Sequence, residues 1–283
     1  MCLVWGTTYL AIRIALESMP PLLMAGSRWT VAGCLLIGVV ALRTTTLPPR
    51  RAWASLAVRG ILFLGFGNGA VVWAERTVPS GLTAVFVAIV PFWMVGIDAW
   101  LGDGDPLGAR QLSGLFVGFA GILLLVWPEL GTGVSGGTFL GGFVSTQLAC
   151  AGWALGSAYA RRRGRPEHEE TTVASAAFEM LFGGLFLLIC GLATREWSSI
   201  AVTPRSASAF FYLIIAGSLG GFLAYRYALQ HLPVATVSLY AYANTAIAVV
   251  LGTLVLGETL NWRTGIAAAV VLAGIGLVKG GKD

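Results

Sequence analysis

Charged residues are scarce in this sequence. Asp, Glu, Lys and Arg make up 11% of its 283 residues, whereas a typical soluble domain carries roughly 25%. Hydrophobic residues account for 57%, and the mean hydropathy is +0.80. Water therefore cannot be the main solvent of this chain, and the composition predicts an all-α polytopic membrane protein. The net charge is +5, and the basic residues fall mostly in particular loops. We therefore expect membrane lipid around the chain and no nucleic-acid partner.

Residues that build metal and catalytic centres are also scarce. The chain has only two histidines, and its four cysteines all lie in apolar segments without the spacing of metal ligands or of a disulfide framework. No phosphate loop, no serine–histidine–acid set and no cofactor fingerprint is present. An intramembrane enzyme would need an acid, a base and a nucleophile at one depth, and the few carboxylates of the apolar segments do not supply them. We expect no metal, no cofactor and no enzymatic activity.

Long apolar runs dominate what remains. A bilayer core of ~30 Å requires about 20 apolar residues per helix, and by this measure the chain contains ten spans. Their predicted bounds are Met1–Leu16, Pro21–Leu42, Leu56–Thr77, Ser80–Leu101, Gln111–Trp127, Thr138–Ala160, Thr172–Thr194, Ala207–Gln230, Val234–Leu256 and Trp262–Lys279.

Lysine and arginine placement sets the expected orientation. If the N-terminus is inside, twelve of the 18 basic residues fall on inner loops or inner helix ends. Because inner loops carry an excess of Lys and Arg, this distribution predicts that both termini are cytoplasmic.

The same helical hairpin occurs twice in the chain. A shift of 154 residues places Pro79 on Pro233 and Phe86 on Tyr240, and weaker matches recur in order through both halves. Five helices is an odd number, so the second copy must enter the membrane from the opposite side. The sequence therefore predicts two inverted five-helix repeats, residues 1–127 and 138–283, joined by a glycine-rich linker at 128–137. Trp5 matches Trp153 but has far fewer apolar residues before it, so we expect the natural chain to begin upstream of Met1.

Several segments, taken together, resemble the EamA-type permeases of the drug/metabolite transporter superfamily, and within it the YedA-like exporters. The resemblance spans the chain and is carried by Trp5–Tyr9, Pro20–Arg28, Gly67–Gly69, Val78–Gly81, Ala177–Met180 and Tyr240–Thr245. It implies ten helices in two inverted halves, a central cavity, and export or exchange of small metabolites. One departure is that similar proteins usually have a proline after the asparagine of helix nine, where this chain has Thr245. Helix four keeps Pro91, so we expect a kink in one half only.

Transporters with inverted repeats bind substrate near the membrane midplane, where kinked helices and polar groups meet. Aromatic walls there would suit flat or cationic substrates. Asn68 and Asn244 lie deep in apolar surroundings, where each amide either binds substrate or bonds a neighbouring helix. The predicted substrate-binding residues are Trp5, Thr8, Tyr9, Asn68, Trp73, Phe86, Pro91, Trp153, Ser157, Tyr240, Tyr242 and Asn244.

Three charged residues within spans are candidates for ion pairing or for coupling transport to protons, because a charge near the bilayer centre costs about 2.5–3.5 kcal/mol on insertion scales. Arg28 and Glu179 occupy equivalent places in helices two and seven but differ in depth by ~10 Å. Glu75 is therefore the expected partner of Arg28. Glu179 is expected to pair with an inner arginine or to take up a proton.

Other aromatic and glycine patterns have less specific interpretations. Tryptophans near helix ends, including Trp29, are expected to be interfacial anchors. The small-residue motifs at Gly114–Gly118 and Gly217–Gly221 favour close helix packing and indicate only weakly a homodimer, so the predicted state is a monomer or a weak homodimer.

The sequence thus predicts an inner-membrane permease for small organic metabolites, such as amino acids or drugs, working by alternating access and possible proton coupling. Two alternatives stay open. A lipid or nucleotide-sugar carrier would have a strongly basic cavity, and a non-transporting membrane scaffold would tolerate polar substitutions at its centre.

Overall fold

The computed structural model describes residues 1–43, 47–101, 108–126, 134–162, 170–232, 237, 240–258 and 262–279, and these residues are almost entirely helical. We number the helical runs α1 to α10. The bounds are α1 Cys2–Ala15, α2 Pro21–Leu42, α3 Arg50–Ala74, α4 Ser80–Val87 with Val90–Trp100, α5 Ala109–Val126, α6 Val134–Arg162, α7 Glu170–Ala193, α8 Pro204–His231, α9 Tyr240–Leu256 and α10 Trp262–Lys279. One short 3₁₀ turn, Glu196–Ser199, precedes α8.

Six of these runs are long and apolar enough to cross a membrane, namely α2, α3, α4, α6, α7 and α8. Shorter apolar helices lie in α1, α9 and α10. The prediction of an all-α protein with many membrane-spanning helices is therefore correct for the described residues. Of the predicted linker, residues 128–133 lie outside the described residues, and α6 already begins at Val134.

Two helices contain an inserted π-helical stretch, and a third is interrupted. The π-helical stretches are Ile61–Asn68 in α3 and Leu213–Phe222 in α8, both rich in glycine. Such segments widen the helix locally and are frequent at functional sites. Helix α4 breaks at Ala88–Ile89, immediately before Pro91, which has no backbone N–H to continue the helical ladder. In contrast, α9 runs without a break, so the described helices carry the proline break in one half only.

Glycine allows helices from the two halves to approach at backbone distance. A Cβ atom added at Gly26 or Gly33 of α2 would lie 2.6 Å from the backbone nitrogen of Leu188 or Leu181 in α7. Gly184 of α7 in turn lies against the backbone of α2. A side chain larger than hydrogen would therefore force α2 and α7 apart.

The small-residue motifs that weakly indicated a homodimer form contacts between helices of the same chain. Gly114 and Gly118 of α5 face Gly274 of α10, where an added Cβ would come within 2.5 Å of the Gly118 nitrogen. Gly217 and Gly221 of α8 pack against side chains of α1. The motifs thus explain contacts between helices of one chain, and the monomeric or dimeric state stays a prediction.

Candidate functional site

A cavity lies at the centre of the helix bundle, with walls from both halves of the chain. Its volume is about 70 Å³, whereas sites for drug-sized ligands usually measure about 300–1,000 Å³. The lining residues come from α1, α2, α3, α4, α6, α8 and α9: Trp5, Thr8, Tyr9, Ile12, Arg28, Trp29, Gly67, Asn68, Val71, Val87, Val90, Ala149, Cys150, Trp153, Gly217, Tyr240 and Asn244.

An aromatic cluster forms one wall of this cavity. The Trp5 ring lies 5.4 Å from Trp153, 5.3 Å from Tyr225 and 5.1 Å from Tyr240, measured between ring centroids. The indole N–H of Trp5 donates to the carbonyl oxygen of Gly217 at 3.2 Å, and that of Trp153 donates to the Tyr225 hydroxyl at 2.8 Å. These bonds fix the ring orientations, so the cluster offers the cavity rigid aromatic surfaces.

Asn68 holds two residues of α2 at the cavity. Its side-chain oxygen accepts a hydrogen bond from Nη2 of Arg28 at 3.0 Å and another from Nε1 of Trp29 at 2.8 Å. The Arg28 guanidinium also lies 4.5 Å from the centroid of the Trp29 ring. Asn68 therefore bonds a neighbouring helix and lines the cavity at the same time. The expected Arg28–Glu75 ion pair is absent among the described residues, and the two side chains attract each other only over a longer distance.

Asn244 lines the cavity from α9, where this helix contacts α1 and α4. With its amide nitrogen facing the carbonyl oxygens of Tyr240 and Cys2, it donates to both, at 3.1 and 2.8 Å. The adjacent Thr245 hydroxyl donates to the carbonyl oxygen of Ala84 at 3.0 Å. These bonds tie the second half of the chain to the first half directly beside the cavity.

Four of the predicted binding residues are not among those that line the cavity. Ser157 is buried behind the aromatic cluster, within 3.1 Å of the Tyr225 hydroxyl. Phe86 is fully buried in a separate apolar core, and Pro91 lies within α4 beside the lining residues. Trp73 is 39% exposed and carries Arg76 over its ring at 4.4 Å. The side chain of Tyr242 is outside the described residues. The other seven predicted residues line the cavity.

Glu179 is buried between two arginines. Its carboxylate oxygens lie 3.1 Å from Nε of Arg59 in α3 and 3.2 Å from Nε of Arg226 in α8. The side chain of Glu179 has no exposed surface, and those of Arg59 and Arg226 are 11% and 5% exposed. Of the two roles expected for Glu179, this geometry favours ion pairing, because two adjacent cations stabilise the ionised carboxylate.

Glu75 is, with Glu179, one of two carboxylates that are fully buried among the described residues. Neither of its side-chain oxygens has a hydrogen-bond partner among the described residues, although its backbone oxygen accepts from Nη1 of Arg13. Glu75 follows the end of α3 and does not line the cavity.

A carboxylate from the second half caps a helix of the first half. Glu258 accepts from the backbone and the hydroxyl of Ser80 at 2.7 and 2.8 Å, and from the backbone of Gly81 at 3.0 Å. A carboxylate at a helix N-terminus satisfies free N–H groups and complements the helix dipole. The preceding Gly257 has φ of +65°, which lets the chain turn at the end of α9.

Two residues of the site were missed by the sequence interpretation. Tyr225 is fully buried at the centre of the aromatic cluster, and nothing in its local pattern distinguishes it from other tyrosines. Trp29, expected to be an interfacial anchor, is only 2% exposed and lines the cavity. The assignment of Trp29 as an anchor was wrong. Its position next to Arg28, within the span, could have indicated that it is buried.

The described lining includes aromatic faces, indole, amide and guanidinium donors, hydroxyls and aliphatic groups, but no carboxylate and no histidine. Such walls can bind a small solute by stacking, by apolar contact and by donation of hydrogen bonds. They do not provide an acid–base pair among the described residues.

Comparison with known proteins agrees with this architecture. The EamA-like transporter family matches residues 1–127 and 140–279. The uncharacterized inner membrane transporter YedA of Escherichia coli K12 is 36% identical over 99% of this chain and 88% of its own. The probable amino-acid metabolite efflux pump of Salmonella typhimurium is 24% identical over 96% of this chain and 90% of its own.

A solved crystal structure aligns with 98% of this chain and 94% of its own at a TM-score of 0.69 and 22% identity, which shows the shared fold. The chain belongs to the EamA-like transporter family.

Proposed function

We propose that this protein is an inner-membrane permease that exports or exchanges small organic metabolites by alternating access. The observation that carries the proposal is the central cavity, because its walls come from both halves of the chain. A solute bound there contacts both halves, so their relative movement changes the side from which it is accessible. The names of the relatives, an inner membrane transporter and an amino-acid metabolite efflux pump, support the location and the cargo class.

The packing of the helices supports two inverted five-helix repeats. If α1 to α5 correspond in order to α6 to α10, the contact of α1 with α9 corresponds to that of α6 with α4, and both contacts occur. The contact of α3 with α7 likewise corresponds to that of α8 with α2, and both occur. The π-helical stretches of α3 and α8 also fall at equivalent places. We place ten spans in the membrane with both termini in the cytoplasm, as the basic residues favour.

This orientation places the Glu258 cap on the outer side, between α9 and the start of α4. The cap joins the two halves. When the outer side opens, its hydrogen bonds therefore have to break, or α4 and the end of α9 have to move together. The small cavity volume of about 70 Å³ also means that the cavity widens when a metabolite enters. The break at Pro91 gives α4 a point at which to bend.

If transport is coupled to protons, Glu75 is the better candidate among the described carboxylates. No described cation lies within ion-pair distance of its carboxylate, whereas the carboxylate of Glu179 lies 3.1 and 3.2 Å from two arginines. A proton on Glu75 would remove the free-energy cost of burying its charge.

The test is solute flux into proteoliposomes, with amino acids, organic acids, nucleosides, sugars and cationic dyes as candidate cargo. Thermal stabilisation of the purified protein selects solutes for the flux assay. We expect one chemical class to be stabilising and to exchange across the bilayer. Asn244→Ala should reduce both effects, because it removes a lining amide and its bonds to α1 and α9. Ser208→Ala, an exposed change at the start of α8, is the control.

Absence of flux for all these solutes would contradict the proposal. A scaffold should also retain its stability and its cellular role when cavity residues are replaced by polar ones. Flux of a lipid or nucleotide sugar alone would instead support the alternative carrier.

A further inference from the structure

Arg28 brings a buried positive charge to the wall of the cavity. It lies in the first half of α2, its side chain is among the largest fully buried ones, and only 2% of the residue is exposed. Its contacts are the hydrogen bond from Nη2 to Asn68 and the ring of Trp29. Both partners are uncharged, and Glu75, which is near enough to attract the guanidinium, forms no ion pair with it among the described residues.

Most of the hydrogen-bonding capacity of Arg28 is unused. Nε and Nη1 are buried and have no acceptor among the described residues. Nε carries one N–H group and Nη1 carries two, so three donors are left without an acceptor. Arg226, which is buried to a similar extent, lies instead 3.2 Å from a carboxylate oxygen of Glu179. The two arginines differ in that Arg28 faces the cavity and Arg226 does not line it.

An unpaired charge inside a membrane protein is costly and is usually functional. An acceptor that enters the cavity would use the free donors of Arg28 and neutralise its charge. The planar guanidinium matches a carboxylate particularly well, because it can donate to both oxygens. The remaining walls, including Trp5, Trp29, Tyr240 and Val90, suit an apolar or aromatic body.

We propose that Arg28 is the carboxylate-binding residue of the cavity and that the cargo is a small organic acid with an apolar or aromatic body. This inference rests on the proposed function in assigning the cavity to cargo. It also revises the expectation of cationic substrates, since a cation in the cavity would be repelled by the guanidinium of Arg28 in the cavity wall.

Thermal stabilisation of the purified protein by three matched probes tests the proposal. The probes are hydrocinnamate, its neutral amide and phenethylamine, which share an aromatic body and differ in charge. We expect hydrocinnamate to stabilise the wild-type protein, the amide to bind much more weakly, and the amine to have no effect. Charge-assisted hydrogen bonds contribute about 1.5–3 kcal/mol, so Arg28→Met should weaken hydrocinnamate binding by about ten- to a hundredfold.

Two further variants keep the test interpretable. Arg28→Met should fold, because Asn68 still accepts from Trp29 and a buried charge is removed. Arg28→Lys keeps the charge but loses the planar donor pair, so its affinity for hydrocinnamate should fall between those of the wild type and Arg28→Met. Arg205→Met replaces an arginine whose side chain is 58% exposed and should bind like the wild type.

The outcomes separate this inference from the proposed function. Equal stabilisation by the acid and its amide, or undiminished binding of the acid to Arg28→Met, would overturn the carboxylate site. Stabilisation by the amine alone would do the same. Transport of a neutral or cationic solute without binding of hydrocinnamate would refute this inference and leave the permease standing. Arg28-dependent binding of hydrocinnamate without flux of any solute would support the site and contradict the transport proposal.

Discussion

Removing the charge of Glu179 should destabilise the protein strongly. In Glu179→Gln the shape of the side chain is kept, but two buried arginines, Arg59 and Arg226, lose the anion that lies 3.1 and 3.2 Å away. Breaking a buried ion pair by removing one partner typically costs about 3–5 kcal/mol, because the remaining charge is left unneutralised. The buried Arg226 is left next to a neutral amide, so we expect a loss within that range.

The assay is thermal or denaturant unfolding of the purified protein in detergent. A loss of about 4 kcal/mol corresponds to a fall in the melting temperature on the order of 10 °C. The matched control is Glu17→Gln, because Glu17 also lies 3.1 Å from an arginine, Arg205, but these side chains are 43% and 58% exposed. An exposed ion pair contributes roughly 0–1 kcal/mol, so the control should unfold close to the wild type.

The distance from carboxylate to guanidinium is nearly the same in both places, so the expected difference comes from the burial of Glu179 and from its second arginine. Equal melting temperatures for Glu179→Gln and the wild type would refute the reasoning, because they would mean that the carboxylate does not neutralise the arginines. A variant that is stable but loses only the pH dependence of transport would instead restore the proton-uptake role of Glu179.

Three further changes test other contacts. Glu258→Gln should destabilise the protein by about 1–2 kcal/mol in the same unfolding assay, because an amide cannot accept from all three donors at the start of α4; wild-type stability would contradict the cap. Gly184→Ala should cost about 1–3 kcal/mol through overpacking against α2, whereas Gly38→Ala, where an added Cβ meets nothing within 4 Å, should change stability by no more than about 0.5 kcal/mol. Tyr225→Phe should cost about 1–2 kcal/mol by removing the acceptor of the Trp153 indole, and an unchanged melting temperature would show that water replaces it.

The long apolar runs predicted where helices occur among the described residues but not all of their ends. The predicted third span begins at Leu56, whereas α3 begins at Arg50, since its first turns are polar and an apolar criterion does not include them. Helix α8 begins at Pro204 after Thr203, whose hydroxyl accepts from the backbone of Ser206 in a capping box. The π-helical stretches carry no sequence period that distinguishes them, because they depend on how glycines pack against other helices.

The site was predictable in part, for a related reason. Trp5, Trp153, Tyr240 and Asn244 were found because polar and aromatic groups deep in a membrane need partners. Trp73 was predicted to line the cavity because its depth was judged from its distance to the helix end. Its exposure depends instead on which face of α3 packs against α6. Ion pairs are harder to predict, since their partners come from helices that are far apart in the chain.

Arg28 and Glu179 carry opposite charges at positions that the proposed repeats make equivalent. They lie at equivalent positions, related by the same offset of 151 residues that aligns Gly33 with Gly184, and both are buried in the bundle. Glu179 lies between two cations contributed by α3 and α8, so its charge is balanced within the protein. Among the described residues Arg28 donates to the neutral Asn68, and it faces the cavity. In the repeats that we propose, the equivalent positions therefore carry different charges, one of which pairs within the fold while the other is the residue that we propose for cargo binding.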